Sequence, residues 1–283
     1  MKFKIKITRD FLPFFLIVMA YAIGIGFPYL FQYVFKFRVP FSFWISEQDL
    51  LVDYDISSKL FMDVVFTSPF FAICSYFGIR MVLNRMPEEN FSKRFKNISL
   101  SLYLIFVTIF CMGHVIHVVA NHINGKVSNL GLEETTLFYA IYFWDEFVGH
   151  TTIGVGFYSI FLLMSFLNIL FLIDDEKKPP ENQTNIFWGD KYWALFIGAI
   201  GGLIQAEAFL EGQCNFIFLI VNPVALLSFY LISLKYKFDY KKSPFIWGLI
   251  GITISYSIFT FIWVGFTGIK PYYPFFYQGS ELS

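Results

Sequence analysis

Seven uninterrupted apolar runs, each long enough to cross a bilayer as a helix, set the pattern of the chain. They cover roughly 11–35, 60–83, 98–121, 148–173, 192–211, 215–234 and 245–268. Helices are expected because an open-edged sheet leaves backbone groups unsatisfied in lipid, and runs of this length do not suit barrel strands. The expectation is an all-α integral membrane protein, a bundle of about seven transmembrane helices in one polytopic domain over 1–283. The first run, Phe11 to Phe35, is longer than a signal-peptide core. It reads as an uncleaved span, although Ala20-Tyr21-Ala22 imitates a cleavage site. Residues Glu133 to Phe147 are expected to form a helix leading into the fourth span. The aromatic and acidic segment Phe41 to Asp49 is expected as a short helix on the membrane surface. The brief Glu211–Asn215 connection makes the fifth and sixth spans antiparallel neighbours.

The polar segments between the runs alternate in charge. All but five of the 21 Lys and Arg residues fall on one side, the exceptions being Lys36, Arg38, Lys59, Lys126 and Lys270. The positive-inside rule then puts the amino terminus inside and the carboxyl terminus outside, with the plasma (cytoplasmic) membrane as the expected location. Composition agrees with this picture: 57% hydrophobic, 22% aromatic, only 15% charged, and a mean hydropathy of +0.59. A soluble domain carries about 25% charged residues. The formal net charge is zero, so no basic surface points to nucleic acid. Cys74, Cys111 and Cys214 match neither a zinc ribbon nor a redox pair and read as small buried hydrophobes.

Titratable side chains at membrane depth cost about 2.5–3.5 kcal/mol each on insertion scales and are functional candidates by default. Their positions follow a pattern. Asp63 opens the second span, and His114, His117, Asn121 and His122 close the third. Asp145, Glu146 and His150 open the fourth, and Gln205, Glu207 and Glu211 close the fifth. All sit at the outer level, and the inner halves of the spans carry nothing comparable. At roughly 100° per residue, His114, His117 and Asn121 share an arc, whereas His122 lies outside it and reads as interfacial. His117/Asn121, Glu146/His150 and Glu207/Glu211 are each stacked at i, i+4, while Asp145 points away from His150.

Imidazoles and carboxylates offered by facing helices suit a divalent metal ion, zinc or iron foremost. The expected ligands are His114, His117, Glu146, His150 and Glu211, with Glu207 as general base and Asp145 as a second catalytic or orienting carboxylate. The depth points to the lipid bilayer as partner and to a lipid or other amphiphile as substrate, hence a metal-dependent membrane hydrolase. A proton- or cation-coupled transporter and a noncatalytic subunit of a membrane complex are the competing readings. Asn222-Pro223 is expected to kink the sixth span. Gly198, Gly201, Gly202, Gly248 and Gly251 are expected to let helices approach closely. No GxSxG, HExxH, P-loop or GxGxxG is present. The seven-span zinc hydrolases of the alkaline ceramidase and adiponectin-receptor group carry histidines on the last helix, which here has none. Rhodopsins need a lysine within that helix, and Lys270 lies beyond it. Ferritin-like di-iron sites use Glu-x-x-His, one residue shorter than Glu146 to His150.

Overall fold

The computed structural model describes residues 11–35, 38–45, 50–132, 135–179, 183, 188–211 and 214–267. Seven long helices run through them: α1 Leu12–Val34, α2 Ser58–Arg85, α3 Lys93–Asn129, α4 Thr136–Asp175, α5 Trp188–Glu211, α6 Asn215–Tyr236 and α7 Pro244–Thr267. Hydroxyl caps fix several starts. The side chains of Ser57, Ser92 and Thr135 each accept the backbone N–H three residues on, at 3.2 Å. α6 ends on Lys237 in the left-handed region, with φ 55°.

Six helices among the described residues, α2 to α7, are long and apolar enough to cross a membrane. α1, with 23 residues, packs against α2 and α5. The bundle has a sharp division of labour. α3 has 37 residues and α4 has 40, about 55 and 60 Å of helix, against a hydrocarbon core of about 30 Å. Both therefore project beyond the others.

The all-α expectation is corrected between α1 and α2. There β1 (Arg38–Ile45) and β2 (Leu50–Ser57) pair antiparallel, Arg38 opposite Ser57 and Ile45 opposite Leu50. A hairpin satisfies both rows of backbone groups locally, and Val52, Tyr54 and Ile56 are strand formers. The surface helix expected there does not form over Phe41–Ile45, and Ser46 to Asp49 lie outside the described residues, as do the basic amino-terminal run and Lys270. The segment leading into the fourth span is helical from Thr136 and continuous with it, while Glu133 and Glu134 lie outside the described residues.

α5 packs along its length on α7 and touches α6 little, so chain neighbours are not the main packing neighbours. Glycine makes this possible. A Cβ on Gly198 would strike the Gly248 backbone, and one on Gly202 would strike Ile252 and Ser255. α6 continues through Pro223 without ending. The core is aromatic: Phe14 meets Phe161 and Phe245 edge to face at 6.2 and 5.8 Å, and Tyr21 and Phe71 pack on Phe110 and Phe157.

One end of the bundle is basic, and it holds a polar clamp. Asn90 donates to Asp174 at 2.7 Å, Lys178 pairs with Asp175 at 2.8 Å, and Lys242 pairs with Glu176 at 2.6 Å. Asp174, Asp175 and Asp190 are buried there. These acids lie past the ends of the apolar runs, at helix ends where connecting segments reach back to pair with Asp174, Asp175 and Glu176.

Candidate functional site

The other end of the bundle gathers the histidines. His114 and His117 come from α3, Asp145, Glu146 and His150 from α4, and Asp63 with Ser68 from α2. Two of these helices widen into π-turns at this level, Asp63–Thr67 in α2 and Phe143–Gly149 in α4. A π-turn bonds i to i+5, so positions five apart approach one face, a local device found often at functional sites. The second π-turn corrects the facing of Asp145. Regular 3.6-residue geometry turns Asp145 away from the site, but the widened turn carries both Asp145 and Glu146 inward, at 1% and 4% exposure.

Asp145 reaches across to α3. His117 Nδ1 donates to Asp145 Oδ1 at 2.7 Å, so the ring is held through Nδ1 and Nε2 is the nitrogen left for another partner. The helices can come this close because residue 149 is glycine. A Cβ there would stand 2.8 Å from His117 Cβ and 2.9 Å from its Cα. The His117 and His150 rings meet edge to face, with centroids 4.4 Å apart.

His150 is held on its far side by a hydrogen bond to the backbone of Ala208 on α5. Its Nε2 is buried, has no hydrogen-bond partner, and lies 3.7 Å from Glu146 Oε2. With Nδ1 donating to a carbonyl, Nε2 is an acceptor, and it faces a carboxylate oxygen. Two acceptors turned toward one another in a dry place repel, and a shared proton or a cation between them relieves the conflict.

His114 faces elsewhere. Its Nδ1 is 3.2 Å from Ser68 Oγ on α2, and its ring stacks on Phe110. Ser68 belongs to the site's surroundings but is invisible in the sequence, because a single serine in an apolar run carries no pattern. Asp63 is buried and paired with Lys59 at 2.9 Å. His122 points away from the cluster, as its position outside the arc implies. With Leu60, Phe61, Val64, Val65, Val119 and Ile123 it lines an apolar groove of about 310 Å³ between α2 and α3.

On α5 the side chain of Glu207 is exposed, while Gln205 two residues earlier is fully buried. The Glu211 side chain lies outside the described residues. Among the described residues no group of three or more His, Cys, Asp and Glu side chains stands so as to hold a metal ion. What is brought together is the His150–Glu146 pair with the His117 ring beside it.

Fold and site together define a multi-pass helical membrane protein with a polar cluster buried at one end. No known protein family, no curated protein and no solved structure matches the chain.

Proposed function

We propose that this is a membrane-embedded, metal-dependent hydrolase acting on a lipid or other amphiphile, with its site at the outer face. The proposal includes a seventh crossing by α1, an amino terminus inside, a carboxyl terminus outside, and residence in the plasma membrane. The basic end supports that orientation.

The observation that carries the reading is the opposed acceptor pair, His150 Nε2 and Glu146 Oε2 at 3.7 Å. A zinc or iron(II) ion between them would remove the conflict, with His117 Nε2, the nitrogen not engaged by Asp145, as the third candidate donor. Both imidazoles are held through the opposite nitrogen, one by a carboxylate and one by a backbone carbonyl, which is the outer-shell arrangement of metal-ligating histidines. Glu146, His150 and His117 would hold the ion, and a metal bound by three protein ligands would supply an acidified water for attack on a carbonyl carbon. Asp145 serves as the orienting carboxylate for His117. The exposed Glu207 has no step in this scheme.

A relay carrying protons or cations across the membrane is the lesser reading. It needs polar groups continuing along the bundle axis, and the edge-to-face contacts of Phe14, Phe161 and Phe245 fill that axis toward the basic end.

The test is elemental analysis of the purified full chain beside folded His150→Ala and Glu146→Gln, with hydrolysis of ester- and amide-linked amphiphiles in phosphatidylcholine vesicles. Near-stoichiometric zinc or iron, lost in both variants, and product release blocked by chelator are expected. A wild-type protein that takes up neither metal overturns the metal site. Product release indifferent to chelator, or none at all, overturns the hydrolase.

A further inference from the structure

One turn below the histidine site, two amides lie deep in the bundle with unused hydrogen-bonding atoms. Gln205 on α5 is 0% exposed and Asn222 on α6 is 1% exposed. Gln205 precedes Ala208, the residue that holds His150, by three positions, about 4.5 Å of helix rise. Between the amides stands Tyr158 of α4, whose hydroxyl donates to Gln205 Oε1 at 2.6 Å. That hydroxyl has one proton, so it serves one acceptor. Asn222 lies beside it, near enough to act on the phenol, yet neither Asn222 Nδ2 nor Oδ1 reaches hydrogen-bond geometry with a protein group. Gln205 Nε2 is likewise buried without one.

A buried amide left unsatisfied costs far more than an apolar side chain of the same shape, and orphaned groups in a native fold call for an occupant. The occupant's chemistry follows from what is missing. Four amide N–H donors and one carbonyl acceptor ask for a ligand rich in oxygen acceptors with a hydroxyl to give. No Lys or Arg is among the buried described residues, whereas Asp63, Asp145 and Glu146 are. An anionic head would have no buried Lys or Arg among the described residues to pair with. A cationic head would meet the positive ends of the amide dipoles.

We propose that Gln205 and Asn222 form a head-group subsite for a neutral amphiphile, taking an ester or amide carbonyl with a neighbouring hydroxyl beneath His150. It rests on the reading of the site as one that acts on an amphiphile, and it names the class: uncharged, oxygen-rich heads rather than phosphate or free acid. The amides bind the ligand without the metal and are not ligands to it.

The experiment measures binding of 1-oleoylglycerol to the full-length protein in phosphatidylcholine nanodiscs, against oleate and octadecene as chain-matched probes. Wild type, Gln205→Met and Asn222→Leu are compared, and metal content is read on the same samples. Wild type is expected to bind 1-oleoylglycerol at least tenfold tighter than oleate or octadecene. Each variant is expected to lose about tenfold while keeping wild-type metal content. Equal affinity for the three probes in wild type overturns the subsite, and needs no variant to fold. Variants that bind as wild type does, or that gain thermal stability and show no binding loss, overturn it as well, leaving ordered water as the occupant. Absence of metal from every sample, with the binding pattern intact, defeats the metal reading and leaves the subsite standing.

Discussion

Asp145 Oδ1 lies 2.7 Å from His117 Nδ1, joining α4 to α3 at the level where α4 widens into a π-turn. The contact depends on that widening, since an unbroken α-helix would turn the carboxylate toward another face. Its energy follows from burial: Asp145 has almost no contact with solvent and the imidazole supplies a hydrogen-bond partner. Asp145→Ala is expected to cost about 1–3 kcal/mol, because the half-buried His117 N–H loses its acceptor. Metal affinity should fall about 10–100-fold as the tautomer is released. Asp145→Asn keeps an acceptor and should cost less. Thermal unfolding and metal titration in detergent decide it, and an Asp145→Ala protein equal to wild type in both would remove the contact from the account.

The same crossing is sensitive to one methyl group. A Cβ on Gly149 stands 2.8 Å from His117 Cβ, with the His117 Cα equally near, so relief requires the α3 backbone to move. Gly149→Ala should destabilise by about 1–3 kcal/mol, the usual penalty of overpacking, and should also disturb the His117–His150 geometry. Gly125→Ala on α3 is the control, since nothing lies within 4 Å of its Cβ position. Gaining helix propensity there, it should be neutral or slightly stabilising. Equal unfolding temperatures for the two variants would show that α3 and α4 are not locked together at this point.

His114 separates the sequence-based ligand set from the structural one. Its Nδ1 is engaged with Ser68 and its ring lies along Phe110, facing α2 rather than His150. His114→Gln should therefore retain the metal content of wild type and lose about 1 kcal/mol of stability, as should Ser68→Ala, which removes the same hydrogen bond. The double variant should cost little more than either single one, because the two share one interaction. Loss of metal in His114→Gln would restore the histidine to the ligand set.

How much of this was legible in the sequence depends on what imposed each feature. The bilayer dictates length, so most of the long helices begin and end within a few residues of the apolar runs, while α3 continues to Asn129 and α4 starts at Thr136, well outside theirs. The gathering of the histidines at one end was legible for the same reason, because depth is counted in residues. Rotation about the helix axis was not. Asp145 was misplaced because a constant 3.6-residue period was carried across Phe143–Gly149, and no residue type announces a π-turn. On α5, Gln205 and Glu207 are two residues apart and on opposite faces. A helix apolar almost all round has no polar face to mark the outside, so the sequence pattern does not say which of the two is buried. The β-hairpin did carry a signal, the strand-forming alternation of Val52, Tyr54 and Ile56, but the aromatic content of Phe41 to Trp44 drew the reading to a surface helix.

Glu146 and Glu207, expected as metal ligand and as general base, give the sharpest comparison. Glu146 is buried beside His150, on the inner side of the π-turn, whereas Glu207 has an exposed side chain two residues from the buried Gln205. Glu207→Gln keeps the size and shape of an exposed side chain, and substitutions at exposed positions shift stability within about 0.5 kcal/mol. Glu207→Gln should therefore leave metal content, unfolding temperature and any chelator-sensitive hydrolysis unchanged. Glu146→Gln keeps the shape but turns an anionic ligand into a neutral one, so metal should be lost and hydrolysis with it. Its unfolding temperature should hold or rise in metal-free buffer, since the opposed acceptors are relieved when an amide N–H can donate to His150 Nε2. That rise is the distinguishing sign: a purely structural carboxylate would show a fall instead, and would return Glu146 to the role of helix-joining glue.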